Sequence, residues 1–446
     1  VFDEINNKLY DYIIIFEKLE IIEKIKNNLK PNGIILLVLD NKNGIENFAK
    51  LEIPEKLVEK ITQKYTKLEI ENKLKECGYQ DYKFYYPLPN YKTANVIFSD
   101  EYLPEYNNSK LINNIYYPEN TKLLYNENQV LKEITKCGKF TEFTNSYLIE
   151  INAKSQEKFI GFNNTRKDEF RLCTKIYKEH VIKEKIYENC NQIESIKNNL
   201  NFLENYKINS LDECKENKIY SKFVIGKTLS ETIVDYILNN NTDKAIETIK
   251  EYYNFLKEKF KDNKTDKINK KIFGNLDKTN QLYILKNGLI DLVFENVFKI
   301  NEEYFVFDQE WKLENIPLEF ILYRAINNLY TYNSQISKYI SIEKMYSKFN
   351  LEEYILSFKD AENIFQNMVI DKDKISIYEL NQFTYVENLE NELKVKLDNI
   401  KKIEYENENL NIIINNIKHE LQNKQSIINY YENMRVVKLM RKFKNK

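Results

Sequence analysis

Apolar positions along the first third of the chain fall into short continuous runs separated by helical spacings. Residues 12–16 and 34–39 are unbroken apolar stretches, the pattern of strands buried on both faces. Between them, Ile21, Ile22, Ile25 and Leu29 predict a helix over 20–29, which Lys30-Pro31-Asn32-Gly33 then breaks. Strand, helix and strand of this length predict a right-handed βαβ unit. A further helix over 66–76 closes at Cys77-Gly78, and strands at 82–86 and 94–99 follow around a proline-bearing turn.

The pattern changes after residue 150. Strand-like runs at 158–162, 171–177 and 180–186 precede a helix over 187–203, with Ile193, Ile196, Leu200 and Leu203 on one face. A strand at 219–225 and helices at 229–239 and 245–260 come next. Residues 289–298 and 304–307 then predict a hairpin closed by the polar turn 299–303. From 380 onward there is neither Pro nor Gly. Val386, Leu389, Leu393, Lys396, Ile400, Ile403, Asn407, Leu410, Ile414, Ile417, Leu421, Lys424, Ile428 and Tyr431 alternate three and four apart. That repeat predicts a left-handed coiled coil, in which Asn407 favours one register and a dimer. The closing MRVVKLMRKFKNK interleaves basic and apolar residues.

Composition narrows the function classes. The 446 residues are 42% hydrophobic, enough for real cores and two or three domains. With 67 basic against 68 acidic residues, nothing in the balance points to nucleic acid. Five cysteines, an odd number without metal-ligand spacing, fit a reduced, cytoplasmic protein. Only His180 and His419 are present, which argues against histidine metal sites and Ser-His-Asp triads. No apolar run is long enough to predict a membrane span. Val1 falls in a helix or turn that leads to a strand, so a preceding portion of a larger protein is expected.

Chemistry concentrates in NGLIDLVFENVFKINEEYFVFDQEW, where Asp291, Asn296 and Asp308 edge the expected hairpin. Two carboxylates and an amide at one end of a hairpin are able to hold a divalent cation and orient a hydroxyl. Two resemblances give that set a context. YDYIIIFEKLE, LKPNGIILLVLDNKNGI, KLKECGYQDYKFYYPLPNYKTANVIFSDEYLP and FTEFTNSYLIEI resemble the second half of a class I S-adenosylmethionine-dependent methyltransferase, of the kind found in large bacterial proteins beside glycosyltransferases. The resemblance implies that 12–16 is the fourth strand of the sheet and 34–39 the fifth, with an antiparallel hairpin at the end. It implies that the cofactor's glycine-rich loop precedes Val1. This chain would then supply only Phe16, Glu17 and Glu20 after the fourth strand, and Asn41 at the edge.

The β-β-β-α-β order from 155 to about 340, followed mostly by helices, resembles the aminoglycoside-phosphotransferase-like and lipopolysaccharide-kinase-like branch of the protein-kinase fold. By that resemblance Lys183 in VIK holds the nucleotide phosphates and Glu194 pairs with it. FVIGKTL (223–229) is the adenine hinge, Asp291 is the base, and Asn296 and Asp308 hold Mg. The chain departs from that pattern at Asn163-Asn164-Thr165 in place of a glycine-rich loop, at Gly-Leu-Ile-Asp, and at Asp-Gln-Glu; Lys175 and Lys185 rival Lys183.

The expected architecture is therefore multidomain, α/β and α+β: a partial Rossmann-like methyltransferase sheet (1–150), a two-lobed kinase-like domain (151–370) and a coiled-coil helix with a basic tail (371–446). The expected function is a transferase of bacterial surface-polysaccharide assembly. S-adenosylmethionine would be used by the full-length protein, and ATP and Mg would serve to phosphorylate a sugar or glycan-precursor hydroxyl. The alternative is a catalytically degenerate kinase-like and coiled-coil scaffold associated with a glycosyltransferase, self-associating through the coil.

Overall fold

The computed structural model describes residues 8–49, 54–104, 124–125, 127–274, 276, 279–371 and 385–444. The chain is mixed α/β, with one large mixed sheet and a long C-terminal helix. It divides into two compact units, 1–122 with 126–382, and 123–125 with 383–446.

In the first unit, β1 (Tyr10–Phe16) and β2 (Leu29–Asp40) are parallel, with Ile13 opposite Ile35 and Ile15 opposite Leu37. The helix expected over 20–29 is replaced by two short 3-10 turns, Leu19–Ile22 and Lys26–Asn28. The reason is visible in what is buried: Leu19, Ile22 and Ile25 sit inside, each three residues from the next. That is the period of a 3-10 turn, not of an α-helix. Helix α1 (Lys67–Glu76) starts at a capping box, in which Thr66 and Glu69 satisfy each other's backbone N–H groups. Strands β3 (Tyr82–Leu88) and β4 (Val96–Ser99) form the expected antiparallel hairpin. Strand β5 (Ser146–Ile151) lies between β2 and β3, antiparallel to both.

The boundary expected near residue 150 is not a break in the structure. β4 pairs along its free edge with β6 (Phe159–Phe162), Phe98 opposite Phe159 and Val96 opposite Gly161. β7 (Leu172–Ile176) and β8 (His180–Lys185) continue the sheet. After helix α2 (Gln192–Asn205) and the short β9 (Asn209–Ser210) come β10 (Asp212–Lys215) and β11 (Lys218–Lys222). The result is a single ten-stranded sheet in the order β1-β2-β5-β3-β4-β6-β7-β8-β11-β10. Phe98 is fully buried at the joint, its ring 5.4 Å from Phe140 and 5.2 Å from Phe159. An unpaired strand edge must be covered or charged; here the edge of each half covers that of the other.

Helices α3 (Leu229–Leu238) and α4 (Thr242–Lys259) precede β12 (Ile284–Leu289). The run 289–298, expected as one strand, ends as a strand at Leu289. Ile290, Leu292, Val293 and Phe294 continue as a buried loop closed by a 3-10 turn, Phe294–Asn296. All four side chains go inward, so the run has no exposed face to alternate with. The hairpin itself is short, β13 (Val297–Ile300) with β14 (Glu303–Val306), and β14 also pairs with β9. β15 (Lys312–Pro317) returns antiparallel to β12, and α5 (Leu318–Tyr332) and α6 (Ile355–Val369) complete the unit.

The second unit is α7 (Tyr385–Asn433) followed by α8 (Arg435–Lys444). Leu393, Ile400, Ile403, Leu410, Ile414, Ile417, Leu421 and Ile428 of the heptad seam are all exposed. The side chain of Val386 and residues 372–384 lie outside the described part of the chain.

Phe98→Ala is expected to cost about 3–5 kcal/mol and to lower one shared transition for residues 1–382 in scanning calorimetry. A variant that melts only the first half, in a separate transition, contradicts the continuous sheet.

Candidate functional site

The loop between β12 and β15 carries Asp291, Asn296 and Asp308 and folds back on itself. Asp291 is the fastener. Its Oδ2 accepts the backbone N–H of Glu310 at 3.1 Å and of Trp311 at 3.0 Å. Its Oδ1 lies 3.4 Å from Arg324 of α5. Its carbonyl accepts the side-chain amides of Asn296 at 3.2 Å and Gln309 at 2.8 Å. Arg324 also donates to the Ile290 carbonyl, and its Nε to Glu362 of α6 at 2.7 Å. The carboxylate expected to act as base is therefore engaged in holding the loop to two helices. Burial raises its pKa, against the opposing pull of Arg324.

Next to this knot, Lys183 of β8 meets the acids after β14. Its Nζ donates to Asp308 and, at 3.0 Å, to Glu310. Glu310 also accepts from Arg166, in the loop between β6 and β7. Arg166 lies 5.7 Å above the Trp311 ring, which packs against Phe170 at 4.9 Å and Phe365 at 5.4 Å. The same loop is tied by backbone: Lys167 N–H reaches Val369 O, and Asp371 N–H reaches Thr165 O, both at 3.0 Å. So the β6–β7 loop is fastened at both side chain and main chain. Asp308 has positive φ, +59°, and its N–H donates to Asp212 of β10 at 2.7 Å.

The Lys183–Glu194 pair is not formed. Glu194 is exposed and pairs with Lys197 at 3.7 Å. Helical geometry explains the difference. Gln192 and Asn199 are on the inner face of α2 with Ile196 and Leu203, and residue 194 is about 200° round the helix from 192. Gln192 donates to Glu310 O and Asn199 to Gln309 O, each at 3.0 Å. Helix α2 thus docks through two buried amides, not through an ion pair. The spacing 192, 196, 199, 203 was available as a signal, because two amides continue an apolar stripe.

Charge in the cluster is unbalanced. Among the described residues, Asp212, Asp291, Asp308, Glu310 and Glu362 face the cations Arg166, Lys183 and Arg324. Burial opposes ionisation of Glu310, but Arg166 and Lys183 outweigh it and hold its carboxyl far below the usual range. Burial raises the pKa of Asp308, with Lys183 opposing and the Glu310 charge adding. Asp308 keeps 36% of its side chain exposed, against 5% for Glu310, so it is the acid a ligand can reach. Burial would lower Lys183; its two carboxylates reverse that and raise it. A cavity of about 420 Å³ between α2 and β9–β10 is lined by Leu200, Leu203, Ile208 and Asp212, and not by Lys183, Asp308 or Glu310. The expected adenine hinge is irregular after Lys222, with Ile225 94% exposed.

At the other end of the sheet, Phe16 is exposed and stacks obliquely on Tyr91, 6.2 Å between centroids. Glu17 accepts from Asp40 N–H at 3.3 Å, and Glu20 accepts from the Tyr65 hydroxyl. Asn41 does not face a ligand. It is fully buried, donates to Glu142 O at 2.8 Å and Thr144 O at 2.6 Å, and accepts from Asn43 N–H at 2.9 Å. These bonds use both amide hydrogens, so Asn41 fastens the turn before β5. Among the described residues, no three Asp, Glu, His or Cys side chains are grouped to hold a metal.

The chain matches no known protein-family model, and no curated protein matches it.

Replacing Glu310 by Gln strands Arg166 and Lys183 as partly buried, under-paired cations. The expected cost is about 3–5 kcal/mol, read as a lower midpoint of urea unfolding, whereas Glu194→Gln leaves the midpoint in place. Equal midpoints for wild type and Glu310→Gln contradict this reading of the cluster.

Proposed function

We propose that residues 151–370 are a kinase-like domain that has exchanged phosphoryl transfer for a structural role. In this reading the chain is a scaffold of bacterial surface-polysaccharide assembly, working beside a glycosyltransferase. One observation carries it: the carboxylate of Glu310 sits between Arg166 and Lys183 and fastens the β6–β7 loop to β8. Phosphoryl transfer runs on cations and acids aligned toward spread negative charge, with little covalent work by the protein. Here the charge of Lys183 is engaged by two carboxylates, and Asp291 is engaged by two backbone N–H groups and Arg324.

The kinase-like reading is supported by Lys183 on the third strand of its sheet segment, opposite Asp308, and by the β13–β14 hairpin that separates Asn296 from Asp308. The methyltransferase-like reading of the first half is supported by the parallel pair β1–β2 and by the terminal antiparallel strands. In that half Glu17, Glu20 and Asn41 are engaged with the protein, so no step is assigned to them toward S-adenosylmethionine. The seam of α7 supports self-association as the scaffold's joint. Five free thiols agree with a cytoplasmic setting. Among the described residues no helix is long and apolar enough to cross a membrane.

A second reading keeps the transferase: ATP with Mg phosphorylating a sugar hydroxyl. The exposed part of the Asp308 carboxylate favours it. The arrangement as it stands does not fit ATP and Mg, because Asp308 is paired with Lys183 and Asn296 donates to the Asp291 carbonyl.

Thermal-shift measurement separates the two. The scaffold reading predicts the same melting temperature with and without ATP and Mg. A cation-dependent rise that Asp308→Ala abolishes contradicts it and supports the transferase.

A further inference from the structure

We propose that α8 is an interfacial helix that docks on an anionic lipid bilayer. Over its ten residues it carries Arg435, Lys438, Arg441, Lys442 and Lys444, and no acidic side chain. Val436, Leu439, Met440 and Phe443 are exposed, Phe443 by 77%. At about 100° per residue, these four positions fall within one sector of the helix, and the five cations, with Val437 at a position among them, take the remainder. A ten-residue helix is about 15 Å long, half of what a span needs. It is therefore suited to lying in the plane of the headgroups, apolar side down and cations toward lipid phosphates.

The heptad frame of α7 shows why another copy of the coil does not cover this face. Continued past Met434, the a and d positions become Arg435, Lys438 and Lys442. The apolar seam ends there, and the apolar residues of α8 move to positions outside it. The helix itself is interrupted at Met434, between Asn433 and Arg435. A polyanion such as nucleic acid would engage the cations but give Leu439 and Phe443 nothing to bury against. An anionic bilayer satisfies both faces, through apolar insertion and attraction of each Lys or Arg near the surface. The pairing of Arg441 with Glu432 at 2.8 Å is exposed on both sides and is weak enough to yield to lipid phosphate.

The test is co-sedimentation of the full chain with sucrose-loaded vesicles. One set is pure phosphatidylcholine and the other roughly two parts phosphatidylcholine to one of phosphatidylserine. The chain is expected to pellet with the anionic vesicles and not with the neutral ones, and to be released by salt. Leu439→Ser with Phe443→Ser, and separately Lys438→Glu with Lys442→Glu, are each expected to lower the partition at least about tenfold. Because all four residues are exposed, the melting of residues 1–382 should not move in either variant, and circular dichroism checks this. Three results overturn the proposal: no pelleting of the wild type, equal pelleting with neutral vesicles, or full retention by the Leu439→Ser/Phe443→Ser variant. The last would mean that charge alone binds, as to any polyanion including nucleic acid.

Discussion

The first unit depends on one carboxylate placed between two cations. Glu310 receives Arg166 from the β6–β7 loop and Lys183 from β8, and its own backbone is held by Asp291 and Gln192. Through Asp291 the arrangement reaches Arg324 and Glu362, on two different helices. Buried ion pairs are costly to desolvate and seldom add much stability over apolar packing. What they do is fix geometry, because each member becomes very unfavourable if its partner leaves. Burial and the neighbouring Glu310 charge raise the pKa of Asp308, against the pull of Lys183. The charges of the cluster are turned on one another.

That inward closure agrees with the sheet. Strands from the two halves of the chain join at β4 and β6, across the domain boundary expected near residue 150. Five strands from each half share the one sheet, and the β6–β7 loop is bonded to the end of α6 and to Asp371. Both features favour holding one shape.

Much of the fold was legible in the residues. Most strand and helix positions followed from apolar runs and helical spacing, because these elements bury one face or both. Three features were not. The joint between β4 and β6 is made by backbone hydrogen bonds at strand edges, which leave no periodic trace. The stretch 20–29 carried a helical spacing, yet its innermost residues, Leu19, Ile22 and Ile25, recur every three positions and form 3-10 turns. The run 289–298 read as a strand because a fully buried loop is as apolar as a buried strand. In the site, the Asp291–Asn296–Asp308 spacing does not show that Asp291 accepts two backbone N–H groups. An Asp five residues before an Asn has the same spacing whether it faces a substrate or a pair of amides. Arg166 and Glu310 were missed because surface-type charges carry no period that tells of burial, whereas Gln192 and Asn199 did continue a buried stripe.

Hydrogen exchange followed by mass spectrometry at residues 163–168 and 308–311 tests the central claim most directly. If the cluster is a structural knot, the amides of Asp308, Glu310 and Trp311 are protected to the level of the β12–β15 core. ATP with Mg then leaves that protection unchanged in both segments. Fast exchange there in the free chain, with protection appearing only on adding ATP and Mg, contradicts the account and marks the loop as a nucleotide clamp.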